Sequence, residues 1–260
     1  MSDLIKSGPV GRDTVSKKFK LCQPLTGKEQ KLEMMSFWAA ISDTFAGVVQ
    51  YNRENDKTRM NVKGVCDMLD ESKNDYFEGL SKVYQRYLDE NAQPCVDWTL
   101  DAMIRLLSKT EIEYNQVYRT WIYQTCSAYG FYQTSTTVRT FGDEFNMEFF
   151  EYLCMTAYSK DYSWDNIKIH AQKIINTYSA LDFRSSNVIF TNGNIDPWHA
   201  VSILKENADL FNYNHFIMGT SHCAPLYPES PNDPKTLRDA RQRMFEQILL
   251  ILDNFHKTVV

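Results

Sequence analysis

Asp196 stands at the corner of "NVIFTNGNIDPWHAVSIL" (Asn187 to Leu204), where an apolar strand signal gives way to Pro197 and Trp198. Further along, "NHFIMGTSHCAP" repeats the arrangement, with a short apolar run ending near His222. A carboxylate and an imidazole delivered from the C-terminal ends of successive strands are the groups a hydrolytic site uses as acid and base. The carboxylate holds the imidazole in one tautomer and stabilises the imidazolium formed when the ring takes a proton. Each residue alone has a plainer reading, since an Asp-Pro pair makes turns and a histidine after a strand packs. Their recurrence at two strand ends is what favours chemistry. In the turn from Asn192 to Pro197, Gly193 is expected to supply a positive φ and Pro197 to stiffen the corner.

The elements that must position this pair follow from hydrophobic periodicity. From Lys28 to about Tyr51, apolar Leu32, Met35, Trp38, Phe45 and Val48 recur every three or four residues, the spacing of an amphipathic helix. Asp75 to Glu90 and Val96 to Ser108 read the same way, so the first hundred or so residues are expected to be all-helical. "RTWIYQTCSAYGFYQT" (Arg119 to Thr134) is aromatic and β-branched and predicts a strand running into a loop. Helices are predicted over Glu144 to Tyr158 and Trp164 to Leu181, then a strand from Asn187 to Thr191. A helix near Trp198 to Asn207, a strand from His215 to Met218 and a helix from Leu237 to Phe255 complete the series. The last helix carries Ala240, Met244, Ile248, Ile251 and Phe255 on one stripe, expected to pack on a sheet. Strands alternating with helices imply βαβ units and a parallel sheet.

The chain has 260 residues, 43% of them hydrophobic and 13% aromatic, ample for a packed core. A formal net charge of -5 and the lack of a basic stripe argue against a nucleic-acid partner. The longest aliphatic run, Ile248 to Leu252, is too short to span a bilayer, so no membrane partner is expected. "MSDLIKSGPVGRDTV" does not resemble a signal peptide. The 6 cysteines contain no C-x-x-C, and an even, scattered set fits disulfides in an oxidising compartment. Disulfides without a leader imply that a leader has been lost. A metal site from His199, His215, His222 and Cys223 is disfavoured because no ligand pair has the usual spacing.

Resemblance sharpens this. "NGNIDPWHA" and "TSHCAPLYPESPNDPKTLRDAR" resemble the acid and histidine motifs of the lysosomal Pro-X carboxypeptidase family, which also contains dipeptidyl peptidase II and thymus-specific serine protease. "FKLCQPL" (Phe19 to Leu25) resembles the entry to that family's helical cap, and "TWIYQTCSAYGFYQTS" (Thr120 to Ser135) its return to the hydrolase core. The likeness covers essentially the whole chain. It implies an α/β fold in which residues 1–112 form an all-helical cap and residues 113–260 the C-terminal part of an α/β-hydrolase sheet. By the same resemblance Asp196 is the triad acid, His222 the general base, and Trp198 a lining of the substrate pocket unless it merely packs. Disulfides Cys22–Cys95 and Cys126–Cys154 are likewise implied, which leaves Cys66 wanting an upstream partner and Cys223 unassigned. The implied partner is a peptide with proline near the cleaved bond, handled in the lysosome or secretory pathway without cofactor or metal, and a homodimer is left open.

The first triad member should be a serine upstream of Asp196 inside G-x-S-x-G, which the family writes G-G-S-Y-G-G. No serine of the chain has Gly both two residues before and two after. In "GTSHC", Ser221 adjoins His222, and neighbouring side chains on an extended segment diverge. "MSDLIKSGPVGRDTVSKKFKLC" resembles sequence downstream of the nucleophile, so the chain is expected to be the C-terminal part of such a protein, starting at an internal Met. Two functions follow. One is a serine-type exopeptidase of which this chain carries the Asp and His. The other is an inactive truncated isoform acting through binding.

Overall fold

A computed structural model describes residues 1–52, 59–73, 75–111, 117–135 and 146–259. Ten α-helices run through them: α1 (Ser2–Lys6), α2 (Pro9–Lys18), α3 (Lys31–Gln50), α4 (Val62–Glu71), α5 (Tyr76–Glu90), α6 (Leu100–Ser108), α7 (Tyr118–Gln124), α8 (Met147–Ala157), α9 (Trp164–Tyr178) and α10 (Lys235–Val259). Two strands, β1 (Val188–Gly193) and β2 (Asn212–Ile217), lie between α9 and α10. The chain divides into two compact units, Met1–Phe45 with Met68–Thr177, and Ala46–Asp67 with Tyr178–Val260. α7, α8 and α9 up to Thr177 belong to the first unit, where they pack with the earlier helices.

The described elements of the first unit are helices packed around an apolar core. Phe19, Phe37, Trp38, Tyr84, Trp98 and Leu153 are buried at its centre. The Phe19 ring lies 5.0 Å from that of Tyr84 and 5.6 Å from that of Phe77. Two polar groups drawn inside find backbone partners, the Trp98 indole N–H donating to Gln23 O at 2.7 Å and the Ser36 hydroxyl to Trp98 O at 2.8 Å. Helices start where capping side chains stand: Asp75 accepts from Glu78 N–H and Thr99 from Ala102 N–H. Cys22–Cys95 and Cys126–Cys154 are both bridged. With sequence separations of 73 and 28 residues, these links are worth about 4.4 and 3.6 kcal/mol in the chain-entropy account.

One expectation fails in this unit. Arg119 to Thr134 does not form a strand; α7 runs into a π-helical turn over Thr125–Tyr129. Ile122, Thr125 and Cys126 are buried at helical spacing, and Cys126 is tied to α8 through Cys154, while Trp121, Tyr123 and Tyr129 stay exposed. β propensity expresses how well side chains fit a pleated surface, and a helical neighbour with a disulfide outweighs it here. Gly130, at φ 63°, closes the turn by donating its N–H to Thr125 O at 2.9 Å.

In the second unit β1 and β2 are parallel neighbours, in register from Val188↔Asn212 to Gly193↔Ile217. The expected helix near Trp198 to Asn207 is only a 3₁₀ turn, Pro197–Val201. The side-chain amides of Asn192 and Asn214 both donate to Ile203 O, so side chains take the carbonyl a continuing helix would use. Leu237 and Ala240 of α10 bury against Ile217 of β2. The rest of the expected stripe is less covered, with Ile248 45% and Phe255 59% exposed. The architecture is thus mostly helical with a small two-stranded parallel sheet. No helix among the described residues is long and apolar enough to cross a membrane.

Candidate active site

Beyond Gly193 and Ile217 the two segments stay stitched together. Asn194 N–H donates to Ile217 O at 3.2 Å, Ile195 N–H to Thr220 O at 3.0 Å, and Gly219 N–H to the Asn194 side-chain oxygen at 2.6 Å. Gly193 does not take a positive φ as expected. Its need for glycine is a close approach, since a Cβ there would lie 2.4 Å from Thr220 O and 2.8 Å from Ser221 O.

This clasp brings Asp196 to His222. Asp196 Oδ2 lies 2.7 Å from His222 Nδ1, and Asp196 Oδ1 accepts the Trp198 backbone N–H at 3.0 Å. Both carboxylate oxygens are therefore engaged in a group only 7% exposed. With Nδ1 facing a carboxylate, the neutral imidazole carries its proton there and leaves the Nε2 lone pair available. Among the described residues, none hydrogen-bonds Nε2, and the side chain is 26% exposed.

The end of α3 completes the surroundings. His222 N–H donates to Gln50 O at 3.1 Å, and the Trp198 indole N–H donates to Gln50 Oε1 at 2.8 Å. The Tyr51 ring stands edge-on to the imidazole, with centroids 5.6 Å apart, and Trp198 lies tilted at 6.3 Å. Trp198 thus touches both Asp196 and His222, and its indole packs against the end of α3. Gln50 and Tyr51 were invisible to motif reading, because nothing local marks a residue 148 positions from its indole partner.

The other candidates fall apart. Ser221 is buried and makes no hydrogen bond to His222. With Asn52, Tyr227, Asp233 and Arg241 it lines a cavity of about 360 Å³ whose wall includes neither Asp196 nor His222. Cys223 sits at φ 56°; burial, and then the Asp196 charge, push its thiol pKa up, which makes it a poor nucleophile. His199 Nδ1 pairs with Asp196 O and His215 Nε2 with the Gln247 side chain, and no group of three His, Cys, Asp or Glu among the described residues could hold a metal ion.

Arg241 of α10 anchors the segment after His222. Its guanidinium donates to the carbonyls of Pro225 at 3.3 Å, Ala224 at 3.1 Å and Tyr227 at 2.9 Å, and to Asp233 Oδ2 at 2.5 Å. Burial alone would raise the Asp233 pKa, but the Ser230 N–H and then the Arg241 guanidinium overcome it and hold the carboxyl below its usual range. A depressed carboxylate stabilises the fold above its unfolded value, near 3.9, and loses that contribution as pH falls through the folded value. Asp233→Asn is expected to lower unfolding stability by about 2 kcal/mol at neutral pH. In urea titrations the gap to the wild type should close at acidic pH, and a gap that persists there would contradict the ion pair as its cause. Both residues lie inside the sequence motif that ends at Arg241, where charge and Pro/Asn/Asp turn signals were the available clue.

The profile of the serine carboxypeptidase S28 family matches residues 1–244. The thymus-specific serine protease of Mus musculus is 26% identical over 252 residues, covering 94% of this chain and 48% of the relative. That of Homo sapiens is 27% identical over 254 residues, covering 94% and 48%. The chain thus spans about half the length of these relatives.

Proposed function

Because the chain belongs to the serine carboxypeptidase S28 family, we propose that it is the acid–base portion of a serine-type exopeptidase. The observation that carries the proposal is the 2.7 Å contact between Asp196 Oδ2 and His222 Nδ1. In this reading His222 Nε2 takes the proton of a serine hydroxyl as the oxygen attacks the peptide carbonyl, and then gives it to the departing amine. Water repeats the sequence on the acyl-enzyme, with Asp196 holding the imidazole throughout. Residues 1–112 would be the family's helical insertion, and residues 113–260 would supply the late strands with the acid and base. Peptides with proline near the cleaved bond, cut by carboxypeptidase or dipeptidyl peptidase action in the lysosome or secretory pathway, are the substrates the family reading favours. The two disulfides suit such a compartment.

The absence of any serine flanked by Gly at both two-residue offsets supports a second reading, a binding role without catalysis. A fluorophosphonate probe separates the two. This chain by itself is expected to remain unlabelled, while a polypeptide that also includes a G-x-S-x-G serine is expected to label in a His222-dependent way. Stoichiometric labelling of the chain alone, abolished by one Ser substitution, would place the nucleophile within it and overturn the proposal.

A further inference from the structure

We propose that Gln50 is a positioning residue for the base, holding the acid loop with its side chain and the histidine loop with its backbone. The inference rests on the serine-peptidase reading of Asp196 and His222. Gln50 is the last residue of α3, and the final carbonyls of a helix lack intrahelical partners. Its carbonyl is taken by His222 N–H at 3.1 Å, and its side-chain Oε1 by the Trp198 indole N–H at 2.8 Å. Trp198 in turn donates its backbone N–H to Asp196 Oδ1, and Asp196 Oδ2 meets His222 Nδ1. The links form a closed circuit from Gln50 through Trp198, Asp196 and His222 back to Gln50. Any residue at position 50 could supply the backbone link. The side-chain link needs an acceptor at the reach of Gln or Glu; Leu fills the space without one.

If Gln50 only satisfied a half-buried indole, removing its oxygen would alter stability and leave the imidazole as it was. If it closes the circuit, the Asp196–His222 contact loosens. The readout is the His222 Nδ1 proton, followed by NMR on the full chain. Wild type is expected to show a far-downfield resonance that Asp196→Asn abolishes. Gln50→Leu is expected to speed exchange of that proton with water about five- to tenfold, the factor corresponding to one lost neutral hydrogen bond. Gln50→Glu, which keeps an acceptor, should restore slow exchange.

Trp198→Phe removes the donor from the other end, and the double variant should exchange no faster than either single one. That arm also keeps the test decisive should Gln50→Leu fail to fold, because Trp198→Phe must then loosen the proton by itself. Unchanged exchange in these folded variants, or additive effects in the double variant, would overturn the positioning role. A wild-type spectrum without the downfield proton would sink the dyad and this inference together, a different result from a proton present but indifferent to Gln50.

Discussion

His222→Ala, introduced into a polypeptide that joins this chain to the G-x-S-x-G serine of the proposed peptidase, is expected to lower kcat/KM by a factor on the order of 10⁶. Without Nε2 the serine loses its general base, so the hydroxyl must attack unactivated. Asp196→Asn should cost less, on the order of 10⁴. An asparagine can turn its NH₂ toward Nδ1, which selects the tautomer protonated at Nε2, and that tautomer cannot accept from a hydroxyl. Because Oδ1 also accepts the Trp198 N–H, the turn has a stake in either oxygen, and the carboxylate presents one to each partner. The two residues act as a unit, so the double variant should be hardly worse than His222→Ala alone. Steady-state hydrolysis of a peptide ester and amide series would measure these ratios. An Asp196→Asn rate close to wild type would show that the 2.7 Å contact has no catalytic consequence.

The second large effect is expected at a residue with no chemistry of its own. Gly193→Ala places a methyl 2.4 Å from Thr220 O and 2.8 Å from Ser221 O. Both obstacles are backbone, in a segment already pinned by the Ile195 N–H to Thr220 O bond, so neither can swing aside like a flexible side chain. Relief requires the histidine loop to move away from β1. We expect a stability loss of about 3 kcal/mol, the upper end for overpacking. A displacement near 1 Å between Asp196 and His222 would further lower kcat/KM about 10²-fold in the polypeptide that includes the serine of the proposed peptidase. Gly47→Ala in α3 is the natural control, because a Cβ there meets nothing within 4 Å and replaces a poor helix former. Thermal unfolding of the two variants side by side checks the argument. Equal melting temperatures would mean the close approach relaxes at little cost.

Much of the molecule was legible in advance for one physical reason. A helix buries one stripe, so Leu32, Met35 and Trp38 announced α3, and Phe77, Leu80 and Tyr84 announced α5, wherever their partners lay. The carboxylate-then-imidazole order at the ends of two apolar runs was likewise written locally, as turn chemistry following strand composition. Tertiary structure decided the rest, because the deciding partners lie far along the chain. Arg119 to Tyr129 became helical under the pull of α8, and residues after Val201 left the helix because Asn192 and Asn214 claimed Ile203 O. Gly193 is glycine for the sake of a carbonyl 27 positions later, and Gln50 meets an indole 148 positions away. Periodicity and turn residues report what a segment does by itself, whereas the placement of an imidazole against a carboxylate depends on contacts that exist only once distant segments have packed.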